Sequence, residues 1–459
     1  MTIEAEPKRP RRIVVSGRYV LAPAGGLRVL PNHSVVIEGS RIADVTAEPV
    51  VDADLRIDAP DGFVVPGFIN LHCHCMNAPL FRSVTDDLPV RADGTSHIYS
   101  LLMPMGQLAM SLLSPVELRD FVSLGILEVI RGGATTLLDM FRPEQAVTME
   151  VARDWGLRLY AAPYLFSPDL GATASVRRRE TGLDTFRDLH RRYDDGPRGK
   201  LRVILGPHAA DTCGPELLGE VRRTADELDT LVTLHLGQSR AELASLRERY
   251  GQRPTGYLDA AGLLREGTIV AHGIYLEEDE LDRLAATGTA LANCAAVFAR
   301  SGRFAPFGRF ASRGVRTGIG TDAERMDFLS QMRFSGFVSK LEARRSDAAT
   351  APQLLDAVTA GSADILRRPD LGRLAPGSAA DLVVIDLGAP RLRPVRDPVT
   401  TAVWYAGQGD IRTVIVDGEP LVLDGRAVFC DEGAVAAAGA AATAKVWRAA
   451  EASGILPVA

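Results

Sequence analysis

The sequence predicts an α/β protein: a (β/α)8 TIM barrel carrying a small β-sandwich built from both ends of the chain. Three observations predict it. The flanks of the 459-residue chain are alike, both short-stranded and broken by Gly, Asp and Pro turns, whereas the long middle alternates short apolar runs with amphipathic helical patterns. Nearly every run in the middle ends in a side chain able to bind a metal or move a proton. In such a barrel all C-terminal strand ends meet at one mouth, so residues scattered over about 250 positions would converge.

In order along the chain, the first flank contributes "RIVVSGRYVLAP" and "HSVVIEGSRIADV", and the last contributes "ADLVVIDLG" and "RTVIVDGEPLVLDGRAV". These assign residues 11–64 plus 375–432 to one composite β-sandwich and leave 65–374 to the barrel. Eight runs of strand length fill the middle: "FVVPGFINLH", "ATTLLD", "LRLYAAPY", "LRVILGPH", "TLVTLHLG", "TIVAHG", "TALANC" and "VRTGIGTD". Their unbroken apolar character suits strands buried on both faces. "SPVELRDFVSLGILEVIRGG" and "EDELDRLAATG" read as intervening amphipathic helices. Residues 433–459 are Ala-rich and helical by propensity, and would dock on the body or on a second subunit.

Composition bounds the partners. The net charge is −6 and the only compact basic run is "PKRPRR" near the start, so no nucleic-acid surface is expected. No apolar stretch approaches the roughly 20 residues of a membrane helix, and the start of the chain lacks the apolar segment of a signal peptide. Five irregularly spaced cysteines argue against a disulfide framework, and a cytoplasmic location follows by default.

The strand ends carry His72, His74, Asp139, Tyr164, His208, His235, His272, Asn293 and Asp322, so five of the eight histidines sit there. In "FINLHCHC" the side chains at i and i+2 share a strand face, which points His72 and His74 together into the mouth and turns Cys73 and Cys75 away as packing residues. A four-ligand His2Cys2 structural site would need a turn where the pattern reads strand. His72, His74, His235 and Asp322 make a mixed N/O set for one divalent ion, Zn²⁺ first and Fe²⁺ second, with a position left for water. His272 would polarise the electrophile or hydrogen-bond the activated hydroxide.

The ordered series "VVPGFINLHCH", "GGATTLLDM", "GPHAADTCGPELL", "LHLGQSRAE", "IVAHGIYLEEDEL" and "VRTGIGTDA", followed by "GRLAPGSAADLVVID", resembles the metal-dependent amidohydrolase superfamily, in its branch of N-heterocycle deaminases and triazine chlorohydrolases. The resemblance covers most of the chain. It implies that His72, His74, His235 and Asp322 hold one metal, that His272 and Asp322 are catalytic, that His208 touches substrate and that the protein is a homodimer. The implied reaction is attack of metal-activated hydroxide on an sp² carbon of a small cyclic or amidine-like substrate, a hydrolytic deamination above all. Hydrolysis of a cyclic amide or a carbon–halogen bond, or an inactive metal-binding relative, are the alternatives.

Three departures mark the substrate side. Gln238 stands where the resembled deaminases carry a proton-shuttling glutamate, and an amide hydrogen-bonds but does not exchange protons at neutral pH. "ANCA" at Ala292–Ala295 replaces a Ser-His-Cys-Pro motif, and "TDAERMDF" replaces the usual run after strand eight. Glu242 or Glu324 could supply the missing acid, and the substrate is expected to differ from the common purines and triazines. Gln238, also a candidate catalytic residue beside His272 and Asp322, and Asn293 join His208 as expected substrate contacts. Arg300 and Arg303 in "FARSGRFAPFGRFASRG" would meet an anionic substrate, with Arg309 and Arg313 left on a solvated face. The insertion "NAPLFRSVTDDLPVRADGTSHIYSLLMPMG" reads as a cover over the mouth, with His97 a further substrate contact.

Overall fold

The computed structural model describes residues 11–23, 27–84, 87, 88, 97–142, 146–167, 170, 182–323 and 325–456. The chain opens with strands β1 (Arg12–Pro23), β2 (Leu27–Glu38), β3 (Arg41–Thr46) and β4 (Leu55–Pro66). The middle carries β5 (Phe68–Cys73), β6 (Ala134–Phe141), β7 (Arg158–Leu165), β8 (Leu201–Val203), β9 (Gly206–Pro207), β10 (Val232–Leu236), β11 (Thr268–His272), β12 (Ala290–Asn293) and β13 (Thr317–Ile319). The chain returns through β14 (Leu382–Asp386), β15 (Ile411–Val416), β16 (Glu419–Leu423) and β17 (Arg426–Ala427).

The first four and last four strands form one mixed sheet in the order β17-β16-β15-β14-β4-β1-β2-β3, the small β-sandwich unit drawn from both chain ends. The two ends meet where β14 pairs antiparallel with β4, from Leu382 opposite Pro66 to Asp386 opposite Gly62. The run expected as the first barrel strand is therefore divided. Phe63 to Pro66 pairs in the end sheet, Gly67 carries the chain across, and the barrel strand starts at Phe68. Gly67 is dictated by space, because a Cβ there would lie 2.1 Å from the Thr135 hydroxyl oxygen.

The middle forms the (β/α)8 barrel as two parallel half-sheets, one running β5-β6-β7-β8 with β9 beside β7, the other β10-β11-β12-β13. Every residue of β5, β6, β7, β10, β11 and β12 is buried, which is why these strands show no polar alternation. The half-sheets are stitched by single bridges, Leu205 with Val232 and Ala209 with His235 on one seam and Cys73 with Asp322 on the other.

Helices cover the strands. Pro115–Arg131 begins at Ser114, whose hydroxyl accepts the Glu117 N–H while the Glu117 carboxylate accepts the Ser114 N–H, a capping box legible in "SPVE". The last helix, Glu432–Ala452, docks on the body. Gly439 lets it approach Leu124, Lys445 bonds the Glu117 carboxylate at 2.8 Å, and the Trp447 indole donates to the Leu80 carbonyl at 2.7 Å. Among the described residues no helix is long and apolar enough to cross a membrane.

Arg158, 2% exposed at the start of β7, ties the end sheet to the barrel. It donates to Asp381 at 2.8 and 3.1 Å and to Asp417 at 2.5 Å. Asp381→Ala leaves a buried guanidinium short of its main counter-charge and is expected to destabilise the fold by about 3 kcal/mol in urea unfolding. Arg158→Met, which removes the buried charge and keeps much of the volume, is expected to cost less.

Candidate active site

β5 and the seam beside it position the first two histidines. A Cβ on Gly320 would lie 2.6 Å from the His72 carbonyl oxygen, so only glycine lets the chain after β13 pass against β5. There the Asp322 N–H donates to the His72 carbonyl at 3.0 Å and the His74 N–H to the Asp322 carbonyl at 3.2 Å. On the opposite seam the His235 N–H donates to the His208 carbonyl at 3.0 Å. The His72 ring consequently lies within 5.0 Å, centroid to centroid, of each of the His74, His235 and His272 rings.

Hydrogen-bond direction settles the tautomers. His74 Nδ1 lies 2.7 Å from the Met140 carbonyl oxygen and His235 Nδ1 2.5 Å from that of His208. A carbonyl only accepts, so each Nδ1 carries its proton and each Nε2 presents a lone pair. The two Nε2 atoms face each other at 3.2 Å, both buried. Lone pairs at that distance repel unless a cation lies between them. A proton is disfavoured: burial, with the His74 ring adding to it, pushes the His235 imidazole down to about 3, and burial lowers His72 well below its usual value. Neither His72 nitrogen has a partner among the described residues. His72, His74 and His235 each offer one nitrogen within 4.8 Å of the others, and this set fits a divalent ion.

Asp322 stands beside them, Oδ1 at 3.8 Å from His74 Nε2 and Oδ2 at 3.7 Å from His272 Nε2. His272 and Asp322 hold φ angles of +83° and +56°, in the left-handed region that non-glycine residues seldom occupy. Such strain persists where surrounding structure imposes it, here at the mouth end of β11 and at the closing seam. Burial, then the His235 ring, keeps the His272 imidazole well below its usual value. Cys294 offers its sulfur within 4.8 Å of donor atoms of His72, His272 and Asp322, a nearness hidden in sequence, where it is one residue of an altered motif. Cys73 and Cys75 are fully buried in the core.

A cavity of about 570 Å³ opens over these groups and includes His208, Tyr164 and Gln238 in its walls. The insertion after β5 supplies Asn77, Phe81, Leu88, His97 and Met103, while Arg300 and Arg303 come from the loop after β12. Arg303 also bonds the Ser301 hydroxyl and lies over the Phe298 ring. Arg142 and Arg240 complete the wall, though neither stands out in sequence. Arg142 directly follows β6, which runs two residues past the expected "ATTLLD", so it lies three residues beyond the strand end read from sequence. Arg309 and Arg313 are held by Glu278 and Asp282.

Gln238 lines the cavity, and its Nε2 is buried with no partner among the described residues. Glu242 does not line it. Its carboxylate accepts the N–H groups of Gly237 and Gln238, each at 2.8 Å, and so shapes the loop that presents Gln238. Burial, then the Asp211 charge, raises the Glu242 carboxyl to about 8, against the pull of those donors. Glu324 lies outside the described residues. Asp139 accepts the Cys75 N–H at 2.8 Å and secures the turn after His74.

Asn293 is not in the wall. Fully buried, it donates to the Ala305 carbonyl at 2.7 Å and accepts the Ser335 hydroxyl at 2.9 Å, pinning the loop that carries the arginines to the helix Phe328–Ala343.

The amidohydrolase family model matches residues 63–421. The chain is 34% identical over 427 residues to a 5-methylthioadenosine/S-adenosylhomocysteine deaminase of Nitratidesulfovibrio vulgaris, covering 91% of this chain and 94% of that one. It is 31% identical to a 5'-deoxyadenosine deaminase of Methanothermobacter thermautotrophicus, covering 92% and 95%. Among solved structures, a zinc-bound adenosine deaminase from Xanthomonas campestris superposes with a TM-score of 0.86 at 25% identity, covering 96% of this chain and all of that one. A zinc complex of atrazine chlorohydrolase from Arthrobacter aurescens gives 0.83 at 25% identity, covering 94% and 100%.

The two Asn293 bonds lead to a specific expectation. Asn293→Ala orphans the buried Ala305 carbonyl, and unfolding measurements should show a loss of about 1–3 kcal/mol, with any bound metal retained.

Proposed function

The chain belongs to the amidohydrolase family, and we propose that it is a metal-dependent hydrolytic deaminase of an aminated N-heterocycle of nucleoside size. The observation that carries this reading is the pair of buried Nε2 lone pairs of His74 and His235, 3.2 Å apart, beside the Asp322 carboxylate. His72, His74, His235 and Asp322 would hold one divalent ion, and zinc is favoured by the zinc-bound neighbours. When bound, such an ion supplies Lewis acidity that brings the pKa of water toward about 7. Asp322 takes the proton of the attacking water and returns it to the departing amine, while His272 hydrogen-bonds the adding oxygen across the 3.7 Å separation from Asp322. His208 and Gln238 orient the ring, and Asn293 acts at a distance by fixing the loop of Arg300 and Arg303.

Arg142, Arg240, Arg300 and Arg303 in the wall, with His97 of the insertion, support an anionic group on the substrate. A homodimer is supported by the exposed helical stripe of Phe334, Phe337 and Leu341, and a reducing, cytoplasmic setting by five cysteines that form no disulfide. Gln238 favours a second reading, displacement of a group that departs without a proton, as from a triazine carbon.

Two measurements test this function. Elemental analysis is expected to give about one divalent ion per wild-type chain and none in His72→Ala/His74→Ala; equal content in both would overturn the assigned site. Ammonia release from 5'-deoxyadenosine, 5-methylthioadenosine, S-adenosylhomocysteine and aminated triazines is expected for at least one compound and should vanish on chelation. Chloride release without ammonia would favour the second reading, and neither would point to an inactive metal-binding relative.

A further inference from the structure

Tyr164 is the penultimate residue of β7 and is 5% exposed, its ring 5.0 Å from that of His208 and 6.0 Å from that of His74. From sequence it reads as a packing residue with a satisfied hydroxyl. The bond directions say otherwise. Its only hydrogen bond among the described residues joins the phenol oxygen to His74 Nδ1 at 3.1 Å. That nitrogen already has the Met140 carbonyl at 2.7 Å, which only accepts, so Nδ1 carries the proton. Facing an N–H, the phenol oxygen is the acceptor. The phenolic O–H is left over, on a residue that lines the cavity.

A hydroxyl of the cavity wall whose proton has no protein acceptor donates to water, or to a ligand group that displaces that water. The complementary group is a hydrogen-bond acceptor, and on an aminated heterocycle the ring nitrogens are the acceptors. We propose that Tyr164 is a substrate-contacting residue that donates its phenolic hydrogen to a ring nitrogen of the bound heterocycle. The contact supplies a fixed donor beside Gln238, whose amide hydrogen-bonds but passes no proton. It also couples ring recognition to the tautomer of His74, since the phenol donates to the ring only while it accepts from Nδ1.

The inference rests on the deaminase reading, and the test separates the two. Wild type and Tyr164→Phe are compared for zinc content, for calorimetric binding of 5-methylthioadenosine, and for turnover of that compound and of its 1-, 3- and 7-deaza analogues, in which one ring nitrogen is replaced by C–H. Expected are unchanged zinc content, binding and kcat/KM lowered about 10- to 100-fold on the parent compound, and no further loss in the variant with one of the three analogues. A variant that matches wild type on the parent compound overturns the inference and leaves the deaminase reading standing. An equal loss on all four compounds, or a loss of zinc, reassigns Tyr164 to the positioning of His74 and likewise overturns it. Wild type that neither binds nor turns over any of the four overturns the reading for this substrate class, and the inference with it.

Discussion

The closing of the barrel is the constraint on which the site depends. Two half-sheets of parallel strands are joined by isolated bridges, and two of those bridges involve Asp322 and His235 directly. At the Cys73–Asp322 seam the main-chain bonds that close the barrel are those between Asp322 and His72 and between His74 and Asp322. The carboxylate and two imidazoles are thus held in register by backbone, which a side-chain substitution leaves in place. Gly320 belongs to the same device, since any Cβ would strike His72 and open the seam. The strained φ angles of His272 and Asp322 fit this view: the backbone is over-determined by closure, and the strain is carried where the side chains must point inward.

Much of this was legible in the chain. Buried strands show as short unbroken apolar runs, and a barrel turns their ends into one mouth, so the list of strand ends was already most of a site. What escaped depends on geometry that a pattern of residue types does not encode. "FVVPGFINLH" reads as one strand because both halves are apolar, yet Gly67 divides it between two sheets. Asn293 looks like a substrate contact because it ends a strand, but its amide is consumed at both ends by Ala305 and Ser335. Glu242 looks like a replacement acid because of its distance from Gln238, and instead accepts two main-chain N–H groups. In each case the residue type was read correctly, and direction decided the role.

Direction also explains why the histidines act as a set. With Nδ1 protons committed to the carbonyls of Met140 and His208, His74 and His235 cannot turn without orphaning a buried acceptor, and their Nε2 lone pairs stay aimed at one point. Burial holds the imidazoles of His72, His208, His235 and His272 neutral at ordinary pH. Neutral imidazoles bring no charge of their own, so the negative charge at this centre comes from Asp322. With one carboxylate beside it, a divalent ion would leave a net positive centre, which suits the anionic substrate proposed above. The arginines of the wall extend the same sign outward.

The exchange of glutamate for Gln238 then has a definite consequence. Among the described residues of the wall Asp322 is the one carboxylate, so in the proposed deamination it would carry the protons released by water, and the departing nitrogen would have to reach it to leave as ammonia. The ring nitrogen, in turn, needs stabilisation by hydrogen bonds that do not become proton transfers. The Gln238 amide, whose Nε2 has no partner among the described residues, and the Tyr164 hydroxyl proposed to face the ring would be donors of that kind. In the proposed reaction such a site would select between leaving groups that can take up the Asp322 proton and those that need none.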